Sequence, residues 1–110
     1  MTDFSRGKIY RMDLEPTRGS EQQGTARPCV ILTITPFNEK FRTLGVVPLS
    51  SSGRVLAPVV VAVPSAGTDS VALCHQLRTV DKTRVGKYVG EISAKDLLLV
   101  ESSVRQIYGL

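Results

Sequence analysis

The sequence predicts a small, mainly β fold (α+β class) of short antiparallel strands closed by a C-terminal α-helix. Three observations carry this. Short apolar or alternating runs recur between turns rich in Pro, Gly and Ser. Hydrophobic residues make up 42% of 110 residues, enough for one ordinary core. The last segment alone changes to helical spacing. One domain over residues 1–110 fits this length, and a compact barrel and a sandwich both fit the strand pattern. A chain this small also gains from dimerising, because alone it buries a modest share of its surface.

Each element has its own signature. Lys8 to Leu14 alternates polar and apolar residues, the period of a half-buried strand. Cys29 to Ile34 is apolar and β-branched, which predicts a central strand stopped by Pro36. Leu44 to Leu49 forms a third strand, Ser50 to Gly53 a turn, and Pro58 to Val63 a fourth strand closed by Pro64. Ser70 to Thr79 is expected to be extended, with Val71, Leu73 and Leu77 sharing one face. A charged connection, Asp81 to Arg84, leads to a brief strand at Tyr88-Val89. Ser93 then stands as a helix N-cap with Asp96 in the place of the usual capping-box Glu. Leu97, Val100, Val104, Ile107 and Tyr108 follow at helical spacing, a face for the sheet or for a second subunit.

Composition excludes several classes. The two cysteines, Cys29 and Cys74, lie in apolar runs, the setting of buried free thiols, and neither belongs to a CxxC pair. One histidine and scattered carboxylates give no metal set, so no metal and no cofactor are expected. No signal-like N-terminal segment and no run of about 18 apolar residues occurs, so a cytoplasmic protein without membrane contact is expected. The charge of +4 is mild, and position decides whether it meets phosphate. With three Phe, three Tyr and no Trp, extensive stacking of bases is not indicated.

The connection from Pro16 to Pro28 is long for neighbouring strands, and such loops are often functional. Gly19 and Gly24 permit turns closed to other residues. Arg27, just before Pro28, is biased toward extended backbone at the root of the next strand, and its planar fork suits a phosphate. By pattern alone the loop serves equally as a site or as a linker. No GxGxxG or P-loop is present, so nucleotide-cofactor binding has no support.

Asp13-Leu14-Glu15-Pro16-Thr17-Arg18-Gly19-Ser20-Glu21-Gln22, followed by Gly24 and Arg27-Pro28-Cys29-Val30-Ile31-Leu32, resembles the opening of the MazF/PemK family of toxin endoribonucleases. Two further blocks agree in order and spacing: Val46 to Ser51, and Val71 to Asp81. The resemblance spans nearly the whole chain. It implies an SH3-like β-barrel with a C-terminal helix, a homodimer, and a toxin of a type II toxin–antitoxin system. It further implies metal-independent, sequence-selective cleavage of single-stranded RNA to 2′,3′-cyclic phosphate and 5′-hydroxyl ends. A cognate antitoxin would mask the site with an acidic segment.

Carried over by position, the resemblance makes Arg27 the first catalytic residue. A guanidinium stays protonated, so charge stabilisation is its natural part. Ser50 stands where the family commonly has a threonine and keeps the hydroxyl for the phosphate. His75 replaces an acidic residue that the PemK branch pairs with an arginine at the position of Leu73, so that pair is not reproduced. An imidazole can move protons near neutrality, and His75 is therefore a third catalytic candidate. Glu21, Gln22, Asn38, Ser51, Gln76 and Arg78 are candidate RNA-binding residues, and Arg78 can instead brace the fold through Asp81. Lys82, Arg84 and Lys87 form either a track for the RNA backbone or a solvated face. The loop is one residue longer than the family's usual Gly-x-Arg-Pro form, through Thr25-Ala26. The alternatives are a binding module, as in the related CcdB toxins that poison DNA gyrase, and a degenerate member that binds RNA or antitoxin without cutting.

Overall fold

The computed structural model describes residues 3–110. The strands are β1 (Lys8–Met12), β2 (Arg27–Ile31), β3 (Thr43–Ser50), β4 (Val60–Ala62), β5 (Val71–Leu73), β6 (Arg78–Asp81) and β7 (Val85–Glu91). The helices are α1 (Thr35–Lys40) and α2 (Ala94–Tyr108). All ladders are antiparallel, and the path runs β4-β5-β3-β2-β1-β7, with β6 added to β3.

The long strand β3 organises this sheet. Its start pairs with β6 (Thr43 opposite Asp81), its middle with β2 (Val47 opposite Val30) and its end with β5 (Ser50 opposite Val71). The expected class, mainly β with a terminal helix, holds. Barrel closure is not part of the pairing: among the described residues no ladder joins β4 to β7.

Both faces of β1–β3 are buried, which explains why β2 and β3 read as continuous apolar runs. Ile9, Val30, Val47 and Leu49 point into one cluster with Val61, Val63, Val100 and Val104. Their neighbours Tyr10, Met12, Cys29, Ile31, Leu44 and Val46 fill a second cluster with Leu14 and Val80. The period of 2 thus sorts one strand set into two cores. Each fully buried Val or Ile contributes roughly 1.5–3 kcal/mol.

α2 covers the first cluster with Val100 and Val104 and keeps Leu98 and Leu99 exposed. Its cap is as expected in one direction, the Asp96 amide donating to Ser93 Oγ at 3.1 Å. The return arm differs. Asp96 Oδ2 accepts from the Ser65 amide at 2.9 Å, and the Ser93 amide donates to Ser65 Oγ at 3.0 Å. Ser65 therefore completes the box and ties α2 to the turn after β4. The helix stops at Gly109, whose φ of +69° is the left-handed conformation that releases the chain.

Three expectations change, the first being that the brief strand expected at Tyr88-Val89 extends over Val85–Glu91. Pro36 does not merely end a strand; it occupies the first turn of α1, where its missing N–H costs nothing. The run Ser70 to Thr79 is not continuous either. A 3₁₀ turn at Cys74–Gln76 splits it, held by the Cys74 amide donating to the Val59 carbonyl at 3.0 Å. His75 and Gln76 accordingly project from a turn beside the long loop rather than from a strand.

Candidate active site

The Arg27–Pro28 junction opens β2, and the register of β2 with β3 brings Cys29 opposite Pro48. Continued past the ladder's end, that register sets Arg27 across from Ser50. Arg27, Ser50 and Ser51 line one cleft of about 280 Å³, together with Arg11, Ser70 and an apolar floor that includes Ile9 and Leu49. No carboxylate lines it. Two guanidiniums and three hydroxyls in a cleft without a counter-charge suit an anion. Ser50 is almost wholly buried, and its Oγ accepts from the Ser52 amide at 3.2 Å, which fixes the hydroxyl's bearing. A second depression of about 410 Å³ adjoins the first through Ser51 and Ser70 and is lined further by Thr68 and Asp69.

The loop behind Arg27 is braced along its length. At its root Arg84 Nη1 donates to the Asp13 carbonyl at 3.0 Å and to that of Glu15, and Arg78 Nη1 donates to the Leu14 carbonyl at 3.1 Å. Glu15 Oε2 accepts from the Gly24 amide at 2.7 Å, and the Leu14 amide donates to the Gly24 carbonyl at 2.8 Å. At its tip Glu21 accepts from the Arg18 amide and returns its own amide to the Arg18 carbonyl at 3.0 Å. Gly24 has φ +130°, and a Cβ built there would lie 2.4 Å from both Cγ and Cδ of Arg27. The glycine is thus needed twice, for the backbone and for the space the arginine stem occupies.

Gln22 and Gln76 complete the frame. The amide orientation that satisfies both groups turns Gln22 Oε1 to Arg27, accepting from Nε at 3.0 Å and Nη2 at 2.5 Å. Gln76 reaches across from its 3₁₀ turn: its Nε2 donates to the Ser20 carbonyl at 2.9 Å, and its Oε1 accepts from the Gln22 amide at 3.3 Å. His75 is exposed and does not line the cleft. Its Nε2 lies 3.4 Å from Gln76 Nε2, a hydrogen bond only when that ring nitrogen carries the lone pair.

Several candidate roles change with these contacts. Asn38 is fully buried, its Nδ2 donating to the carbonyls of Phe4 (2.7 Å) and Thr33 (2.8 Å), with Thr33 Oγ1 donating to its Oδ1. It is a core brace with no exposed surface to offer a base. Arg78 serves the loop root and makes no pair with Asp81. The Thr83 hydroxyl and amide hold that aspartate instead, below its ordinary value. Gln76 and Glu21 are engaged within the loop frame. Lys82 sits over the Phe4 ring at 4.9 Å, and Arg84 is half-buried at the loop root, so the basic stretch is largely structural.

Sequence reasoning missed Arg11, gave Glu15 no role, and read Arg84 as part of a basic stretch rather than as a brace of the loop root. Arg11 sits in the polar phase of β1, opposite Pro28, and donates to the Ala26 carbonyl at 3.1 Å. Only the β1–β2 register brings it beside the Arg27–Pro28 junction, so nothing local in the sequence marks it. Both thiols are free and buried; burial pushes Cys29 up to about 12 and raises Cys74. Among the described residues no group of three His, Cys, Asp or Glu side chains forms a metal set, and no helix is long and apolar enough to cross a membrane.

The class of molecule is an antiparallel sheet capped by one helix, with a cleft lined by two arginines and three serines at the end of a glycine-rich loop. The chain belongs to the PemK/MazF family: residues 5–108 match the family of PemK-like, MazF-like toxins of type II toxin–antitoxin systems. It is 43% identical over 91 residues to the endoribonuclease PemK of Escherichia coli, covering 78% of this chain and 68% of that one. It is 30% identical to the endoribonuclease toxin ChpB of Escherichia coli K12, over 94% of this chain and 96% of that one. Among solved structures, MazF from Deinococcus radiodurans superposes with a TM-score of 0.85 at 24% identity, covering 96% of each chain. A mycobacterial endoribonuclease in complex with its cognate antitoxin gives 0.80 at 24% identity, over 96% of this chain and 95% of that one. These two likenesses establish the shared fold.

Proposed function

We propose that this protein is a sequence-selective, metal-independent endoribonuclease, the toxin of a type II toxin–antitoxin pair. One observation carries the reading: Arg27, Arg11 and Ser50 converge on a cleft without carboxylates, in a chain 43% identical to an endoribonuclease.

The chemistry follows from these groups. The substrate's own 2′-hydroxyl is the nucleophile. Its oxygen forms a bond to phosphorus, the bond to the 5′-oxygen breaks, and the proton lost at one oxygen is matched by one gained at the other. Negative charge grows on the non-bridging oxygens in between. The Arg27 guanidinium and the Ser50 hydroxyl, which line the cleft, would receive it, and Arg11 would add a second positive charge. Only RNA offers the internal nucleophile. His75, at the rim beside Gln76, is the candidate for proton transfer. The adjoining depression, with Asp69 and several hydroxyls, offers hydrogen-bond acceptors to a neighbouring nucleotide.

An antitoxin bearing an acidic segment would neutralise this cleft, as complementary charge leads one to expect. We further place the protein in a homodimer, to which the exposed Leu98 and Leu99 of α2 offer apolar surface. The test is digestion of a long single-stranded RNA in EDTA with mapping of product ends. Discrete cuts support the reading; RNA left intact by wild-type protein rejects it and favours a binding module on the same fold.

A further inference from the structure

We propose that Gln76 is a positioning residue for Arg27, acting through Gln22 to set the plane in which the guanidinium meets the phosphate. The proposal rests on the nuclease reading for its catalytic consequence but not for its geometry.

An arginine at the mouth of a cleft has many rotamers, and a flexible guanidinium loses much of its advantage as a preorganised donor. Here the stem and the fork are fixed separately. The absent side chain of Gly24 leaves room for the Arg27 stem. Gln22 Oε1 accepts from both Nε and Nη2, an in-plane grip that leaves both Nη1 hydrogens and one on Nη2 free for a ligand.

Gln22 belongs to a long, half-exposed loop, so its own position must come from elsewhere. Gln76 supplies it from the 3₁₀ turn after β5, whose first residue, Cys74, is buried in the main core. Both ends of the Gln76 amide are used. Nε2 holds the Ser20 carbonyl and Oε1 holds the backbone amide of Gln22, whose side chain grips Arg27, so the two bonds clamp the loop on either side of Glu21. The amide donates to Ser20 and accepts from Gln22 at once, which a carboxylate of the same length cannot do. The relay therefore runs core, Gln76, Gln22, Arg27.

The direct test needs no RNA. In protein labelled with ¹⁵N-arginine, the Arg27 Nε–H signal is assigned by its loss in Arg27→Lys, and its hydrogen exchange is measured. We expect slow exchange in wild type and acceleration on the order of tenfold or more in both Gln22→Ala and Gln76→Ala, with far-UV circular dichroism unchanged. Unchanged exchange in Gln76→Ala overturns the relay. Should Gln76→Ala not fold, Gln76→Glu replaces it: the carboxylate still accepts from Gln22 but cannot donate to Ser20, and exchange must again accelerate.

Kinetics then separate positioning from binding. A misplaced guanidinium lowers kcat on the order of 10- to 100-fold while KM stays within about threefold. Because the two glutamines act in series, the double variant loses no more than Gln22→Ala alone. Losses that multiply overturn the relay. If wild type leaves RNA intact, the nuclease reading falls and the exchange result alone decides the proposal.

Discussion

Replacing Gly24 by alanine perturbs the backbone and the arginine at the same residue, and the two effects can be separated. The site has φ +130°, a conformation that costs an L-residue on the order of 1–3 kcal/mol. The new methyl would lie 2.4 Å from Arg27 Cγ and Cδ, against an ordinary carbon contact of about 3.5–4.0 Å. The stem must retreat by more than about 1 Å, which breaks the Gln22 grip and moves the guanidinium. A misplacement of that size costs on the order of 100-fold in rate. The strain removes a minority of the roughly 5–15 kcal/mol that holds a small domain, so the variant should fold. Gly19→Ala is the control: its φ is +54°, so the backbone is strained too, but nothing lies within 4 Å of the new Cβ. In a fluorogenic RNA assay below both melting temperatures, Gly24→Ala should lose about 100-fold and Gly19→Ala less than about threefold. Equal rates in the two variants would refute the argument that Gly24 exists to seat Arg27.

Three further outcomes follow from the same contacts. Asn38→Ala leaves the carbonyls of Phe4 and Thr33 without their donor and should cost on the order of 2–4 kcal/mol by urea unfolding, with the cleavage motif unchanged. A changed motif without loss of stability would restore Asn38 as a base reader. Cys29 is raised from 9.0 to about 12 by burial, so its proton is kept in the folded chain and released in the unfolded one between those values. Stability is therefore full below pH 9 and falls as pH rises above it. The urea midpoint of wild type should drop more steeply above pH 9 than that of Cys29→Ala, and parallel curves would contradict the assignment. His75→Ala should lower the cleavage rate on the order of 100-fold or more, and an undiminished rate would remove His75 from proton transfer.

The strands were legible because their period is local. Alternation in β1 and the apolar runs of β2 and β3 reflect which side each residue faces, and two buried faces leave little room for polar residues. The helix cap at Ser93 was legible for the same reason, since its partner lies three residues on. Long-range contacts were not. Nothing near Asn38 shows that its amide reaches Phe4, or that Asp96 turns to Ser65. Pro36 is read equally well as a strand stop or a helix start, and only packing decides. Within the site, Arg27 and Ser50 were visible through the resemblance, whereas Arg11 arrives only through β1–β2 register; Gln76, expected as an RNA contact, reaches the loop backbone because a turn breaks the expected strand.

Cleavage in the Arg27 cleft by attack of the substrate's own 2′-hydroxyl leaves a signature that no other route shares. It is tested most directly by the chemistry of the new ends. Wild-type and Arg27→Ala proteins are incubated with single-stranded RNA in EDTA, and the products are examined by mass spectrometry and by kinase labelling without prior phosphatase. Wild type should give 2′,3′-cyclic phosphates and directly labelled 5′-hydroxyls, and Arg27→Ala should lose at least about 100-fold of both. Products bearing 5′-phosphates, or cleavage undiminished in Arg27→Ala, would contradict it.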